Sequence, residues 1–283
     1  MAINKIPDHF GTKRLFILDL DGTFSLDGVP FPKAIELIQL FESRNQFYVF
    51  LTNNSSNSQK TYYQSLRRMG LPVQQDHVVT SNQLAGWYIL DQYPQKTMIY
   101  LGTQDGAEEL KGMGLDLVLP YDRFREIPVD LALLAYDNGI TYEKMKNFAL
   151  ALRKDIPYLA THPDFNYPSK QGLLPDCGSY IALFHASTGK TPNRIFGKPE
   201  FDTYRFLLQK KGISPGEALI IGDRLYTDIA GGVQAGIETL LVLSGETQEK
   251  DLVSSDIQPT WVVDSVGQFY DWLLTFPKGS PET

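Results

Sequence analysis

The stretch "FILDLDGTFSLDG", residues 16–28, sets two aspartates against the end of an apolar run. "RLFILDL" (14–20) reads as a buried strand, interrupted and closed by Asp19 and Asp21, two positions apart. A buried strand does not tolerate an unpartnered carboxylate, because taking the charge out of water is costly. Either the strand ends at Asp19 and the acids face water, or something positively charged sits between them. A D-G pair also marks ordinary turns, so this stretch alone leaves a simple strand-end turn open.

Outward from it, the same pattern recurs. "FYVFLT" (47–52) is an apolar strand closed by Thr52, and "EALIIGD" (217–223) is one closed by Asp223. "PKAIELIQLFESR" (32–44) has helical spacing with Pro32 in its first turn, and "SNSQKTYYQSLRRMG" (56–70) has a Ser or Asn cap and Gly70 at its end. "HVVTS" (77–81), "TMIYLG" (97–102), "LDLVL" (115–119), "VDLALLAY" (129–136) and "PYLAT" (157–161) read as further strands. Strands alternating with helices predict an α/β chain with parallel sheets covered on both faces. In such sheets sites form beyond the carboxyl ends of the strands, where Asp19, Thr52 and Asp223 fall. The tail "PKGSPET" (277–283) reads as frayed.

The bulk numbers narrow the class. The chain has 283 residues, with 26 Lys and Arg against 33 Asp and Glu, a net charge of −7. That balance argues against nucleic acid, whose phosphates are met by clustered basic residues. The single cysteine, Cys177, forms no disulfide within the chain, which fits a reducing compartment. No stretch reaches the roughly 18–20 apolar residues of a membrane span, and the start of the chain carries no signal-like run. A cytoplasmic protein without a membrane partner is expected.

Four patches carry the chemistry: Asp19-Leu20-Asp21-Gly22-Thr23, Thr52-Asn53-Asn54-Ser55, Gly197-Lys198-Pro199, and Gly222 through Asp228. Asp19, Asp223 and Asp228 are hard oxygen donors, suited to magnesium, which would offset their repulsion. Thr52, Asn53 and nearby amides supply neutral donors, and Lys198 a fixed positive charge. Together they describe a pocket for a phosphoryl group. Asp19 is assigned as the nucleophile that forms an aspartyl-phosphate, and Asp21 as the acid and base for the leaving oxygen and the attacking water. Gly22 permits the tight turn that follows Asp21. Taken singly, each patch has a plainer explanation: a helix cap at Thr52-Asn53, a solvated loop lysine at Lys198, a first-turn acid at Asp228.

The set "DLDGT", "TNNSS", "GKP" and "GDRLYTDI", in this order, resembles the four motifs of the haloacid dehalogenase-like superfamily. Its p-nitrophenylphosphatase and NagD-type branch is the most similar, since "TYEKM" (141–145), "THPDFNYP" (161–168), "PDCGS" (175–179) and "TGKTPNRIFGKP" (188–199) match that branch's cap pattern. The resemblance implies a Rossmann-like core, 1–81 and 179–283, with an inserted α/β cap over 82–178. It also implies magnesium-dependent hydrolysis of phosphate monoesters. The metal would be held by the Asp19 side chain, the Asp21 carbonyl and Asp223, with Asp228 supporting from behind. Phosphate would be bound by Thr52, Asn53, Gly22 and Lys198. Caps of this branch are similar to ones that form dimers, so a homodimer through the cap is expected.

The chain departs from the branch at Phe24-Ser25, at His162 and at Asp176, outside the four motifs' reacting residues. His162, Asp176 and Cys177 are therefore candidate substrate-specificity residues, and Asp176, if it faces the site, favours a neutral or cationic leaving group. A small phosphorylated metabolite is the expected substrate. Sugar phosphates, nucleoside monophosphates, phosphoglycolate and pyridoxal phosphate all stay open. A phosphotransferase or phosphomutase, or a non-catalytic metabolite-binding protein of the same fold, is the alternative.

Overall fold

The computed structural model describes residues 8–121, 127–169 and 172–275, so the tail 277–283 lies outside the described residues. Its strands are β1 (Leu15–Leu18), β2 (Ser25–Leu26), β3 (Val29–Pro30), β4 (Phe47–Thr52), β5 (Val78–Thr80), β6 (Thr97–Leu101), β7 (Asp116–Val118) and β8 (Leu131–Leu134). Further along are β9 (Tyr158–Ala160), β10 (Asn166–Ser169), β11 (Gly172–Pro175), β12 (Arg194–Ile195), β13 (Ala218–Gly222), β14 (Glu238–Val242) and β15 (Trp261–Val263). Packing divides the chain into two units: one comprises the described residues up to Leu51, Tyr63–Val78 and those from Lys198 on, the other Thr52–Tyr62 and Val79–Gly197.

The first unit is built on a six-stranded sheet of order β15-β14-β13-β1-β4-β5. β1 runs parallel to both β13 and β4, with Leu18 opposite Ile221 and Phe50. Leu15, Phe16, Ile17 and Leu18 are all buried, as expected of a parallel strand covered on both faces. Phe16 stacks on Phe41 of the helix Ala34–Ser43, the ring centroids 4.0 Å apart. The chain order reverses across β1: β4 and β5 lie to one side, β13 to β15 to the other. That switch point is where open α/β sheets place their ligands. β2 and β3 form a short antiparallel hairpin directly after the first motif.

The second unit carries a five-stranded parallel sheet of order β12-β9-β8-β6-β7 and the antiparallel hairpin β10–β11. It extends beyond the expected 82–178. The helix Cys177–Thr188 buries Phe184 against Phe148, their rings 4.9 Å apart, and β12 pairs with β9, so the unit runs to Gly197. It also recruits the segment after β4. Ser55 accepts from the Tyr136 amide at 2.9 Å, and the Ser58 and Gln59 amides donate to Asp105 and Glu109 at 2.6 and 2.7 Å. Those amides open the helix Gln59–Arg68, and two acids satisfy donors that its first turn leaves unpaired. Among the described residues no helix is long and apolar enough to cross a membrane.

Candidate active site

The register of β1 and β13 brings two motifs side by side. The Asp19 amide donates to the Ile221 carbonyl at 2.9 Å, so Asp19 leaves β1 next to where Asp223 follows Gly222 at the end of β13. Carboxylate oxygens of Asp19, Asp223 and Asp228 all lie within 4.8 Å of one another. Lys198 Nζ reaches both Asp19 Oδ1 and Asp228 Oδ1, the latter at 2.7 Å. Thr227 Oγ1 donates to the other oxygen of Asp228 at 3.2 Å. Asp223 is held from three directions: Thr23 Oγ1 at 3.1 Å, the Glu246 amide at 2.8 Å, and Gly22, whose Cβ, if it had one, would stand 2.5 Å from Asp223 Oδ2. Gly22 has φ of +92°, so glycine serves both the turn and the close approach.

The electrostatics show an excess of negative charge. Burial, then the charges of Asp19 and Asp228, push the Asp223 carboxyl up to about 7. Asp21 lies at the exposed edge of the turn, yet protein crowds its carboxyl, and this with the charge of Asp19 raises it to about 6. Burial raises Asp228 too, against the pull of Lys198. Burial alone would lower the Lys198 ammonium, but Asp19 and Asp228 outweigh it and hold it above its ordinary value. Four acids, Asp19, Asp21, Asp223 and Asp228, face two cations, Lys198 and Arg224. A set of hard oxygen donors short of positive charge fits a divalent cation.

The other expected residues are placed differently. Gly22 was an expected phosphate donor, but its amide donates to Ser25 O at 2.8 Å and its carbonyl accepts from Ser244 Oγ at 2.8 Å, so it shapes the turn instead. Thr52 closes β4 and accepts from the Asn54 amide at 3.1 Å. Asn53 Nδ2 spans both oxygens of Asp164 at 3.2 Å, and Gly197 packs so close that a Cβ would lie 2.5 Å from Asn53 Oδ1. His162, Asp176 and Cys177 are brought together by the Asp176 carboxylate. All three are buried in the second unit, where Asp176 Oδ1 accepts from the Cys177 amide at 2.7 Å and lies 2.9 Å from His162 Nε2. Asp176 caps the helix Cys177–Thr188 through that oxygen. Burial, ahead of the charge of Asp176, pushes the Cys177 thiol up to about 12, which disfavours the reactive thiolate.

Thr23 and Arg224 lie inside the four patches without an assigned role, and the turn Ser244–Thr247 lies outside them. The signal was present: "TLLVLSGET" is a further apolar run closed by polar residues, and β14 lies next to β13.

An acid cluster with a buried lysine, at the switch point of a parallel sheet, defines a class of α/β enzyme that handles a phosphoryl group with a cation. Residues 16–116 match the family described as haloacid dehalogenase-like hydrolase, and residues 195–269 a second model described as HAD-hydrolase-like. The chain is 30% identical over 248 residues to the acid sugar phosphatase of Staphylococcus epidermidis, covering 88% of this chain and 93% of that one. It superposes on a 4-nitrophenylphosphatase from Thermotoga maritima with TM-score 0.87 and 37% identity, over 92% of this chain and 97% of that one. It also superposes on a glycerol phosphate phosphatase from Mycobacterium tuberculosis in complex with magnesium, with TM-score 0.82 and 29% identity, over 93% and 76% of the two chains. That enzyme has been solved with calcium as well. The chain belongs to the haloacid dehalogenase-like hydrolase family.

Proposed function

We propose that this protein is a phosphatase that hydrolyses small-molecule phosphate monoesters through a phosphoryl-aspartate at Asp19, with magnesium as its cation. The observation that carries the reading is the convergence of Asp19, Lys198, Asp223 and Asp228 on one point of the first unit. Phosphatase-named relatives covering nearly the whole chain support hydrolysis over phosphotransfer or simple binding.

In the first half-reaction an Asp19 oxygen forms a bond to phosphorus as the bond to the leaving oxygen breaks. Asp21 gives that oxygen its proton. In the second, water attacks the phosphorus, Asp21 takes the water's proton, and the bond to Asp19 breaks to release phosphate. A carboxyl raised to about 6 suits a residue that must hold a proton and then lose it near neutral pH. Lys198 neutralises Asp19 before attack and the phosphoryl charge after it. Asp19, the Asp21 carbonyl and Asp223 would hold the cation, with Asp228 fixing Lys198 behind them. A bound divalent ion supplies charge neutralisation of the phosphoryl oxygens. Thr52 and Asn53 are assigned to phosphate on the motif resemblance. Substrate selection is assigned to the second unit on the same ground, and sugar, nucleoside and glycerol phosphates are the classes to screen.

The test is release of p-nitrophenol from p-nitrophenyl phosphate with and without magnesium, for the parent and Asp19→Asn. Metal-dependent turnover that vanishes in the variant is expected. Undiminished turnover by Asp19→Asn would remove the nucleophile from the scheme.

A further inference from the structure

The turn after β14, Ser244–Thr247, is built around Asp223. The Glu246 amide donates to Asp223 Oδ2 at 2.8 Å, and the Thr247 amide to the Asp223 carbonyl at 3.2 Å. Ser244 Oγ donates to the Gly22 carbonyl at 2.8 Å, tying the same turn to the first motif. Residue 245 has no room for a side chain, since a Cβ there would lie 2.0 Å from Asp223 Oδ2. So the turn aims the carboxylate both by a hydrogen bond and by contact.

The side chain of Glu246 holds this turn to the far side of the same motif. Its Oε1 accepts from the Tyr226 hydroxyl at 2.8 Å, and its Oε2 lies 3.0 Å from Arg224 Nε, as an ion pair. Arg224 and Tyr226 follow Asp223 by one and three residues. A ring therefore closes: Asp223, the chain to Arg224 and Tyr226, the Glu246 carboxylate, the Glu246 amide, and Asp223 again.

We propose that Glu246 is a positioning residue for the cation site: it fixes the Asp223 carboxylate through the Ser244–Thr247 turn, which its side chain ties to Arg224 and Tyr226. This rests on the reading of Asp19 and Asp223 as the cation-holding pair. Glu246 is half-exposed while Arg224 is mostly covered, so the metal-free melting temperature is read beside the affinity. Partners that orient metal ligands typically change metal affinity by about 10- to 100-fold.

The experiment titrates the metal-free full chain with manganese(II), which shares magnesium's taste for oxygen ligands, and counts free ion by paramagnetic resonance. The parent, Glu246→Ala, Glu246→Gln and Asp223→Ala are compared, without substrate. Glu246→Ala should weaken manganese by about tenfold or more at an unchanged metal-free melting temperature. Glu246→Gln keeps an acceptor for Tyr226 but loses the charge, and should fall between. Parent-like affinity in Glu246→Ala overturns the proposal, as does a loss of affinity that only tracks a loss of stability. Parent-like affinity in Asp223→Ala instead overturns the reading of the cation site, and this proposal with it.

Discussion

Lys198 stands between Asp19 and Asp228 with almost none of its side chain in water. Removing one partner from a buried ion pair leaves the other charge uncompensated, at a cost of about 3–5 kcal/mol. Lys198→Met should therefore lower the melting temperature of the metal-free protein as well as abolish turnover; an unchanged melting temperature would show that the lysine does not balance these acids. Asp21 has a different signature. Its carboxyl is raised by burial and by Asp19, so its charge costs the fold more than it stabilises; Asp21→Asn should fold normally while kcat falls by at least the ~10²-fold typical of a general acid, because one residue serves both half-reactions. A kcat within a factor of a few of the parent would reassign the proton. The identity and spacing of these residues were readable in the chain because each closes an apolar run. What each touches was not: Gly22 proved to be a spacer for Asp223, and its amide is spent on Ser25.

Single elements explain the second group of findings. The helix Cys177–Thr188 starts at Asp176, whose carboxylate accepts from the Cys177 amide and contacts buried His162. Losing such a cap costs about 1 kcal/mol, and stripping a buried histidine of this contact costs about 1–3 kcal/mol more. Asp176→Ala should lower stability in urea while the ratio of kcat/KM between p-nitrophenyl phosphate and a sugar phosphate stays constant. A changed ratio would return Asp176 to the substrate. The strand Phe47–Thr52 and the helix Ala34–Ser43 agree with the expected 47–52 and 32–44 because their apolar periods are unbroken. The hairpin β2–β3 escaped notice although "DG" at 27–28 marks it: Asp27 and Gly28 have φ of 49° and 76°, as a tight hairpin turn requires. β10 escaped because Pro168 argues against a strand.

For the whole molecule, two expectations concern what folding protects and what a ligand adds. Cys177 is fully buried with its thiol pushed up to about 12, so Ellman's reagent should leave the native protein unmodified at pH 8 and titrate one thiol per chain in denaturant. Rapid native labelling would place Cys177 at an accessible surface. Magnesium at about a hundred times its Kd should stabilise the protein by about 2.7 kcal/mol, read as a rise in melting temperature that EDTA reverses. The alternation of strand and helix, the parallel sheets and the four polar patches were set by the sequence alone. Local hydrophobic period and strand-end polarity are properties of contiguous residues. Tertiary structure alone decided that the second unit runs to Gly197, that His162, Asp176 and Cys177 turn inward, and that Glu246 stands behind Asp223. Each of those depends on which strands become neighbours, and pairing between residues far apart in the chain leaves no periodic trace in it.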